Sequence, residues 1–199
     1  SREGTVVDAD DLLLEMKTTA AEMAREAGKL ENIPSEEHED LFKSVGYGAL
    51  KYFLLRVDPK KAMMFDPKGS IDFIGNTAPY IQFNYVRSRS MLRNAGIEKP
   101  SDLTPLSTVH LDDTERSLLM TALSLPSIIE EAARSYDPSI VANLCYDIMK
   151  SYSGWYQDHP ILKEENKDLR SSRLALCALC SSAVKTGMSL LGVTMPERM

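Results

Sequence analysis

Apolar positions recur at three- and four-residue steps along most of the chain, a spacing that predicts helices almost throughout. The first reads "DADDLLLEMKTTAAEMAREAGKL", with aspartates able to cap its orphan N–H groups and Gly28 beside Lys29 at its close. The second, "PSEEHEDLFKSVGYGALKYFLLRV", takes Ser35 as its N-cap and carries acids in its first turn, where the helix dipole favours them. Leu41, Val45, Leu50, Phe53 and Leu54 give it an apolar face. Gly46 and Gly48 fall inside this helix and predict close approach of another backbone. "DPKKAMMFDPKGSIDFIGNT" is the least helical stretch, with room only for brief extended pieces near 63–65 and 71–73.

The third long helix is expected from about 78 to 94, with Asn76 or Thr77 as N-cap. Pro79 falls in its first turn, where a missing N–H costs nothing. Tyr80, Phe83, Arg87 and Met91 share one face of it, while Gln82, Arg89 and Arg93 share the opposite one. A linker with Pro100 and Pro105 leads to "LDDTERSLLMTALSLPSIIEEAARSY", which Pro126 breaks or kinks. A long amphipathic helix then runs from Pro138 toward Trp155, and a last one spans about 168–191, stops at Gly192 and leaves the tail "VTMPERM". These elements predict an all-α fold: an antiparallel helical bundle carrying an extra N-terminal helical hairpin.

Composition narrows the class. The chain has 199 residues and 22.2 kDa, 43% apolar and 26% charged, enough for one large domain or one and a half with a proper core. It opens on "SREGTVV" without an initiator Met and reads as a piece of something longer. No apolar run approaches the roughly 20 residues that span a bilayer. An odd, low cysteine count (Cys145, Cys177, Cys180) argues for a reducing compartment. Leu174, Cys177, Cys180, Val184, Met188 and Leu191 lie on one helical stripe, so the CxxC reads as core rather than as a metal or redox site.

Net charge is −6, yet it is unevenly spread: residues 1–40 hold twelve acidic and four basic side chains, and the rest hold seventeen and nineteen. Basic residues gather at Arg87, Arg89 and Arg93, and again at Lys167, Arg170, Arg173, Lys185 and Arg198. Local basic faces matter more for phosphate contact than the global sum. Catalytic constellations are thin. His38, His110 and His159 are scattered, "EHED" and "LDDTE" are explained by capping, and "GYGAL" lacks the glycines of a phosphate loop. The chain alone does not read as an enzyme, and no metal is expected. RNA binding is better supported, because readers of unpaired bases stack them on aromatic rings beside basic groups. The candidates are Tyr80, Tyr85, Tyr146, Tyr152, Trp155 and Tyr156, of which about four are expected in the core.

"SIDFIGNTAPYIQFNYVRSRSMLRN" closely resembles the segment that joins the catalytic domain of arginyl-tRNA synthetases to their helical anticodon-binding domain. The tail "GMSLLGVTMPERM" resembles that family's C-terminus, "GALKYFLLRVDPKKAMMFDP" the helical end of its catalytic region, and "SREGTVVDADDLL" the stretch at and after the class I signature loop. The resemblance implies residues 1–73 as the end of the catalytic region after that loop. It implies 74–199 as an anticodon-binding domain of the DALR type. Phe73, Gly75, Asn76 and Thr77 then match the loop that packs around the anticodon. Tyr146 matches a tyrosine that stacks on an anticodon-loop base, and Met199 a terminal methionine near the tRNA. Tyr80, Arg87 and Arg89 join them as tRNA contacts, Arg87 and Arg89 with intramolecular pairing as the alternative. Ser1 and Arg2 would be the remnant of the signature loop.

The same resemblance implies a whole enzyme that uses ATP with Mg to attach L-arginine to tRNA(Arg), and a fragment that is inactive alone and needs no cofactor. Expected partners are tRNA(Arg) and the N-terminal catalytic part of the same chain, with no DNA and no membrane. The expected setting is a cytoplasmic monomer. Two alternatives stay open: a helical protein-interaction module without RNA binding, and the anticodon-binding domain of another class I synthetase.

Overall fold

A helical hairpin begins the chain in the computed structural model, which describes residues 8–26, 30, 33–64, 66–99, 102–103 and 109–199. Helix α1 (Ala9–Glu26) opens where Asp8 Oδ1 accepts the Asp10 N–H at 2.9 Å. Its expected stop at Gly28 lies outside the described residues. Helix α2 (His38–Leu55) returns antiparallel to it, and Met16, Ala20, Leu41, Val45, Ala49, Leu50 and Ile71 form a small buried cluster between them. Ser35 does not cap α2. It begins a 3-10 turn (Ser35–Glu37) that follows Pro34, and no side chain caps either the turn or the helix. A ring nitrogen of His38 pairs instead with the Ile33 carbonyl at 2.9 Å and fixes the entry.

Gly46 is where the hairpin closes. A Cβ built there would stand 2.6 Å from the Met16 carbonyl oxygen and 2.9 Å from Lys17 Cα, both in the α1 backbone. Gly48 meets side chains instead, Gln82 Nε2 at 3.0 Å and Val193 Cγ1 at 3.2 Å. In an open helix interior Gly→Ala gains about 1 kcal/mol. Against a backbone that cannot yield, overpacking of about 1–3 kcal/mol should win and reverse the sign. Gly46→Ala is therefore expected to lower the urea midpoint, and a raised midpoint would contradict the close approach.

No strand occurs among the described residues, so the expected extended pieces are absent from them. Residues 63–64 are irregular, and the chain bends at Ile71, whose side chain is fully buried against the hairpin. The short α3 (Pro67–Ser70) precedes that bend. Helix α4 (Ala78–Asn94) starts as expected: Thr77 is its N-cap, its side chain accepts the Tyr80 N–H at 3.3 Å, and Pro79 sits in the first turn. Helix α5 (Asp113–Leu123) opens with a full capping box between Asp112 and Glu115. Helix α6 (Leu125–Ser135) follows after Ser124, which confirms the break at Pro126. Helices α7 (Ser139–Asp158) and α8 (Lys167–Leu190) complete the main core.

The bundle is not antiparallel throughout. Tyr80 meets Tyr146 and Arg87 meets Tyr156, so α4 and α7 run in the same direction. The α5–α6 pair takes the chain back far enough to allow this. Cys177, Cys180, Val184 and Met188 of α8 are fully buried, as is Cys145 of α7. Burial pushes the Cys145 and Cys177 thiols up to about 12 and raises Cys180 as well. Thiols so far from ionising are neither nucleophiles nor ready metal ligands, and the core reading of the CxxC holds. No helix among the described residues is long and apolar enough to cross a membrane.

Candidate nucleic-acid interface

The loop at 72–77 is built by its own polar residues. Asp72 Oδ1 accepts the Ile74 N–H at 2.9 Å, and Gly75 turns the chain at φ 88°, a conformation that favours glycine. Thr77 Oγ1 donates to the Asp72 carbonyl and, as N-cap, ties the loop to α4. Asn76 then pins the loop to two helices. Its Oδ1 accepts from the Tyr52 hydroxyl at 2.5 Å, its Nδ2 donates to Asn143 Oδ1 at 3.1 Å, and its carbonyl accepts from Arg56 Nη1. Asn143 Nδ2 in turn donates to the Arg56 and Ser139 carbonyls at 3.2 and 2.8 Å. Asp72 and Gly75 stay exposed, and Ile74 stands outward at the tip, 79% exposed.

Beside this loop the parallel helices bring two rings together. Tyr80 and Tyr146 stand 5.6 Å apart between centroids, tilted at 53°, and both are only half-buried. Lys150, one turn beyond Tyr146 on α7, places Nζ 5.8 Å from the Tyr146 ring centroid. Further along the same seam the Arg87 guanidinium lies between two rings, 5.2 Å from Phe83 and 5.0 Å from Tyr156. No carboxylate pairs with Arg87 among the described residues. A half-exposed aromatic pair, an ammonium and an oriented guanidinium can together take an unpaired base and its phosphate.

The C-terminal tail is strapped across α2 and α4. Lys51 Nζ donates to the Gly192 carbonyl at 2.7 Å, while Gln82 Nε2 and Ser44 Oγ both donate to the Thr194 carbonyl, at 2.8 and 3.2 Å. Val193 and Met195 are buried in the main core. Met199 packs on the hairpin cluster, in a pocket that Phe73 also lines. Partial burial pushes the Glu197 carboxyl up, but hydrogen bonds from Lys185, Tyr85 and Arg89 outweigh it and hold the group at about 2. A carboxyl depressed in this way stabilises the fold above its unfolded value near 4.5, and loses that effect as pH falls toward 2. The side chain is 48% exposed, so screening reduces the contribution to about 1 kcal/mol. Acidification from pH 5 to 2 should therefore loosen the tail, visible as a shift of the Met199 methyl resonance that Glu197→Gln already shows at pH 5. An identical methyl shift profile in both proteins would contradict it.

The model of the DALR anticodon binding domain matches residues 81–199. The chain belongs to the DALR anticodon-binding family. Along its whole length it is 50% identical to the arginine–tRNA ligase of Parabacteroides distasonis and 47% identical to that of Bacteroides fragilis, covering 34% of each. It thus spans about a third of the curated relatives it matches. Among solved structures it is similar to the Thermus thermophilus arginyl-tRNA synthetase, with TM-score 0.87 and 27% identity over 98% of this chain and 32% of that one. The Plasmodium falciparum arginyl-tRNA synthetase gives TM-score 0.79 at 25% identity over 98% of this chain and 34% of that one. The expected all-α anticodon-binding fold with an N-terminal hairpin is what the chain adopts.

Within this DALR chain the expected site residues divide into groups. Tyr80, Tyr146 and Arg87 come together along the α4–α7 seam. Gly75, Asn76 and Thr77 shape the adjoining loop, but Thr77 is buried and both polar ends of the Asn76 side chain are engaged within the chain. Phe73 and Met199 share the hairpin pocket instead. Arg89 takes the alternative of intramolecular pairing, with Glu197 at 3.2 Å. Ser1 and Arg2 lie outside the described residues. Of the six aromatic candidates Tyr85, Tyr152 and Trp155 are buried, and Tyr80, Tyr146 and Tyr156 are half-buried.

Two members of the second basic cluster are engaged within the chain, while Lys167 and Arg198 are exposed. Arg173 is buried, bridging Glu115 at 2.7 Å and Glu164 at 2.8 Å, and Lys185 pairs with Glu197. Lys150 was not singled out, although its place four residues after Tyr146 on a helix was a usable signal. Ile74 falls inside the 73–77 loop that the resemblance marks, and with Phe73 it is the loop's apolar part. Asp112, Glu115 and His159 converge closely enough to hold an ion. Each is already matched: Asp112 accepts from the Glu115 N–H, His159 faces Asp112 and the Trp155 carbonyl, each at 2.8 Å, and Glu115 holds Arg173. The capping reading of "LDDTE" therefore stands.

Proposed function

We propose that this chain is the tRNA-reading, C-terminal part of an arginine–tRNA ligase, with 1–73 closing the catalytic region and 74–199 forming the anticodon-binding domain. The observation that carries the reading is the Tyr80–Tyr146 pair, half-exposed beside Lys150 and the Ile74 loop, in a chain of the DALR family. One anticodon base stacks on these rings, Arg87 holds a neighbouring phosphate, and the loop closes over the base edge. Asn76 acts there as a positioning residue that holds the Ile74 tip in place, and Phe73 and Met199 brace the loop from the hairpin side. The whole enzyme would activate L-arginine with ATP and Mg and charge tRNA(Arg) in the cytoplasm as a monomer. The N-terminal part supplies that chemistry, and the trailing Ser1 and Arg2 belong to its signature loop.

Every arginine codon has G in the middle, so every arginine anticodon has a central C. A pocket built for that base rejects others because its polar groups would be left unpaired, at about 1–3 kcal/mol. Binding of an arginine tRNA transcript, and of the same transcript with the central C replaced, over a salt series tests the reading. Selective binding that weakens with salt supports it. Equal binding to both removes base reading from this chain, and no binding at low salt favours a protein-interaction module.

A further inference from the structure

Four polar side chains surround the Glu197 carboxylate, and they have the make-up of an anion site. Tyr85 OH and Lys185 Nζ donate to its Oε1 at 3.0 and 2.9 Å. Arg89 Nε donates to Oε2 at 3.2 Å, and Arg93 Nη1 stands 3.9 Å from the same oxygen. Three cations and a phenol from α4 and α8 thus converge on one carboxylate. Beside them opens a cleft of about 220 Å³ between α4, the turn that follows it and α8. Lys99, Ser181 and Ser182 line it over a floor of Leu92 and Ile97. Arg89, Arg93, Lys99 and Lys185 outnumber Glu197, Glu98 and Asp102 around it by one, so the basin keeps a slight positive excess with the tail in place.

The attachment of Glu197 is the kind that another anion can replace. Its side chain is 48% exposed and that of Lys185 is 56% exposed, and exposed ion pairs are weak. The tail is anchored upstream through Val193, Thr194 and Met195 and at its end by Met199 on the hairpin cluster, so the exposed Glu197 side chain can swing away while both cores stay closed. A backbone phosphodiester brings two non-bridging oxygens and one negative charge, the same acceptor pattern as the carboxylate, to the same fork of donors. Arg89 and Arg93 also lie away from the α4 face that carries Tyr80 and Arg87, which separates this basin from the stacking pair.

We propose that the α4–α8 basin is a second phosphate-binding site, taking a backbone phosphate of RNA, which Glu197 fills from within when no RNA is bound. The site reads no base and does not depend on anticodon recognition. Glu197→Gln removes the competing charge with a side chain of the same size, at the cost of a looser tail end. Calorimetry with inorganic triphosphate should show binding on the order of tenfold tighter in Glu197→Gln than in the unaltered chain, because the internal competitor is gone. Adding Lys185→Gln should abolish that gain. A uridine dodecamer, which carries no arginine anticodon, should follow the same order. A gain for triphosphate but not for the dodecamer overturns the RNA assignment and leaves a site for free polyphosphate. No gain for either probe overturns the site itself. Should Glu197→Gln loosen the fold, the unaltered chain serves: saturating triphosphate should shift both the Arg89 Nε–H and Met199 methyl resonances, and shifts that spare both contradict the proposal.

Discussion

Replacing Arg173 with methionine is expected to cost about 3–5 kcal/mol of unfolding free energy. Glu115 is 1% exposed, and its two oxygens are taken by Arg173 Nε and the Asp112 N–H, at 2.7 and 3.1 Å. Without the guanidinium a carboxylate remains in the core facing one backbone donor. Arg173 also reaches Glu164 at 2.8 Å, so its loss unfastens the turn before α8 as well as the start of α5. The same physics makes a rescue. Glu115→Leu in the Arg173→Met background removes the stranded charge, and a well-packed apolar replacement of a buried pair is often neutral or better. Urea unfolding of the single and double variants measures this directly. Equal destabilisation in both would mean that packing, not an uncompensated charge, dominates there.

The second large effect concerns binding. Tyr80→Ala and Tyr146→Ala should each weaken arginine tRNA binding by about 1–3 kcal/mol, the usual cost of losing a ring under a stacked base. That is about fivefold to somewhat above a hundredfold in Kd. The phenylalanine variants should stay within about threefold, because stacking needs the ring and not the hydroxyl. The two tyrosines lie 5.6 Å apart, so their effects should not add, and the double alanine variant should lose less than the product of the singles. Unfolding midpoints should change little, since both rings are half-buried. A tyrosine variant that unfolds readily yet binds normally once folded would reassign the pair to the core.

Much of the fold was legible because its signals are local. Thr77 and Pro79 announce the start of α4, Pro126 divides α5 from α6, and the stripe through Cys177, Cys180 and Val184 gives the buried face of α8. Ser35 misled because a serine after proline looks like an N-cap, while here the chain spends three residues in a 3-10 turn first. Gln82, Arg89 and Arg93 share one face of α4 by helical spacing, and spacing alone does not say what covers it. Gln82 is in fact fully buried, and Arg89 is paired. Both are explained by the tail, which returns from more than a hundred residues away to lay the Thr194 carbonyl on Gln82 and Glu197 on Arg89. No helical period can register a strap of that kind. Asn76 is similar: the sequence marks it as a loop residue, and only the packing of α2 and α7 turns it into the peg that Tyr52 and Asn143 hold.

In the proposed complex one anticodon base stacks on the Tyr80–Tyr146 pair. A fluorescent cytosine analogue at the central anticodon position tests it most directly, because stacking on tyrosine rings quenches its emission. Quenching on saturation with the unaltered chain, and its loss with Tyr146→Ala at concentrations that still saturate, is the result expected. Unchanged emission in a fully bound complex, or quenching that survives in the Tyr80→Ala/Tyr146→Ala double variant, would contradict the account and move base recognition elsewhere on the surface.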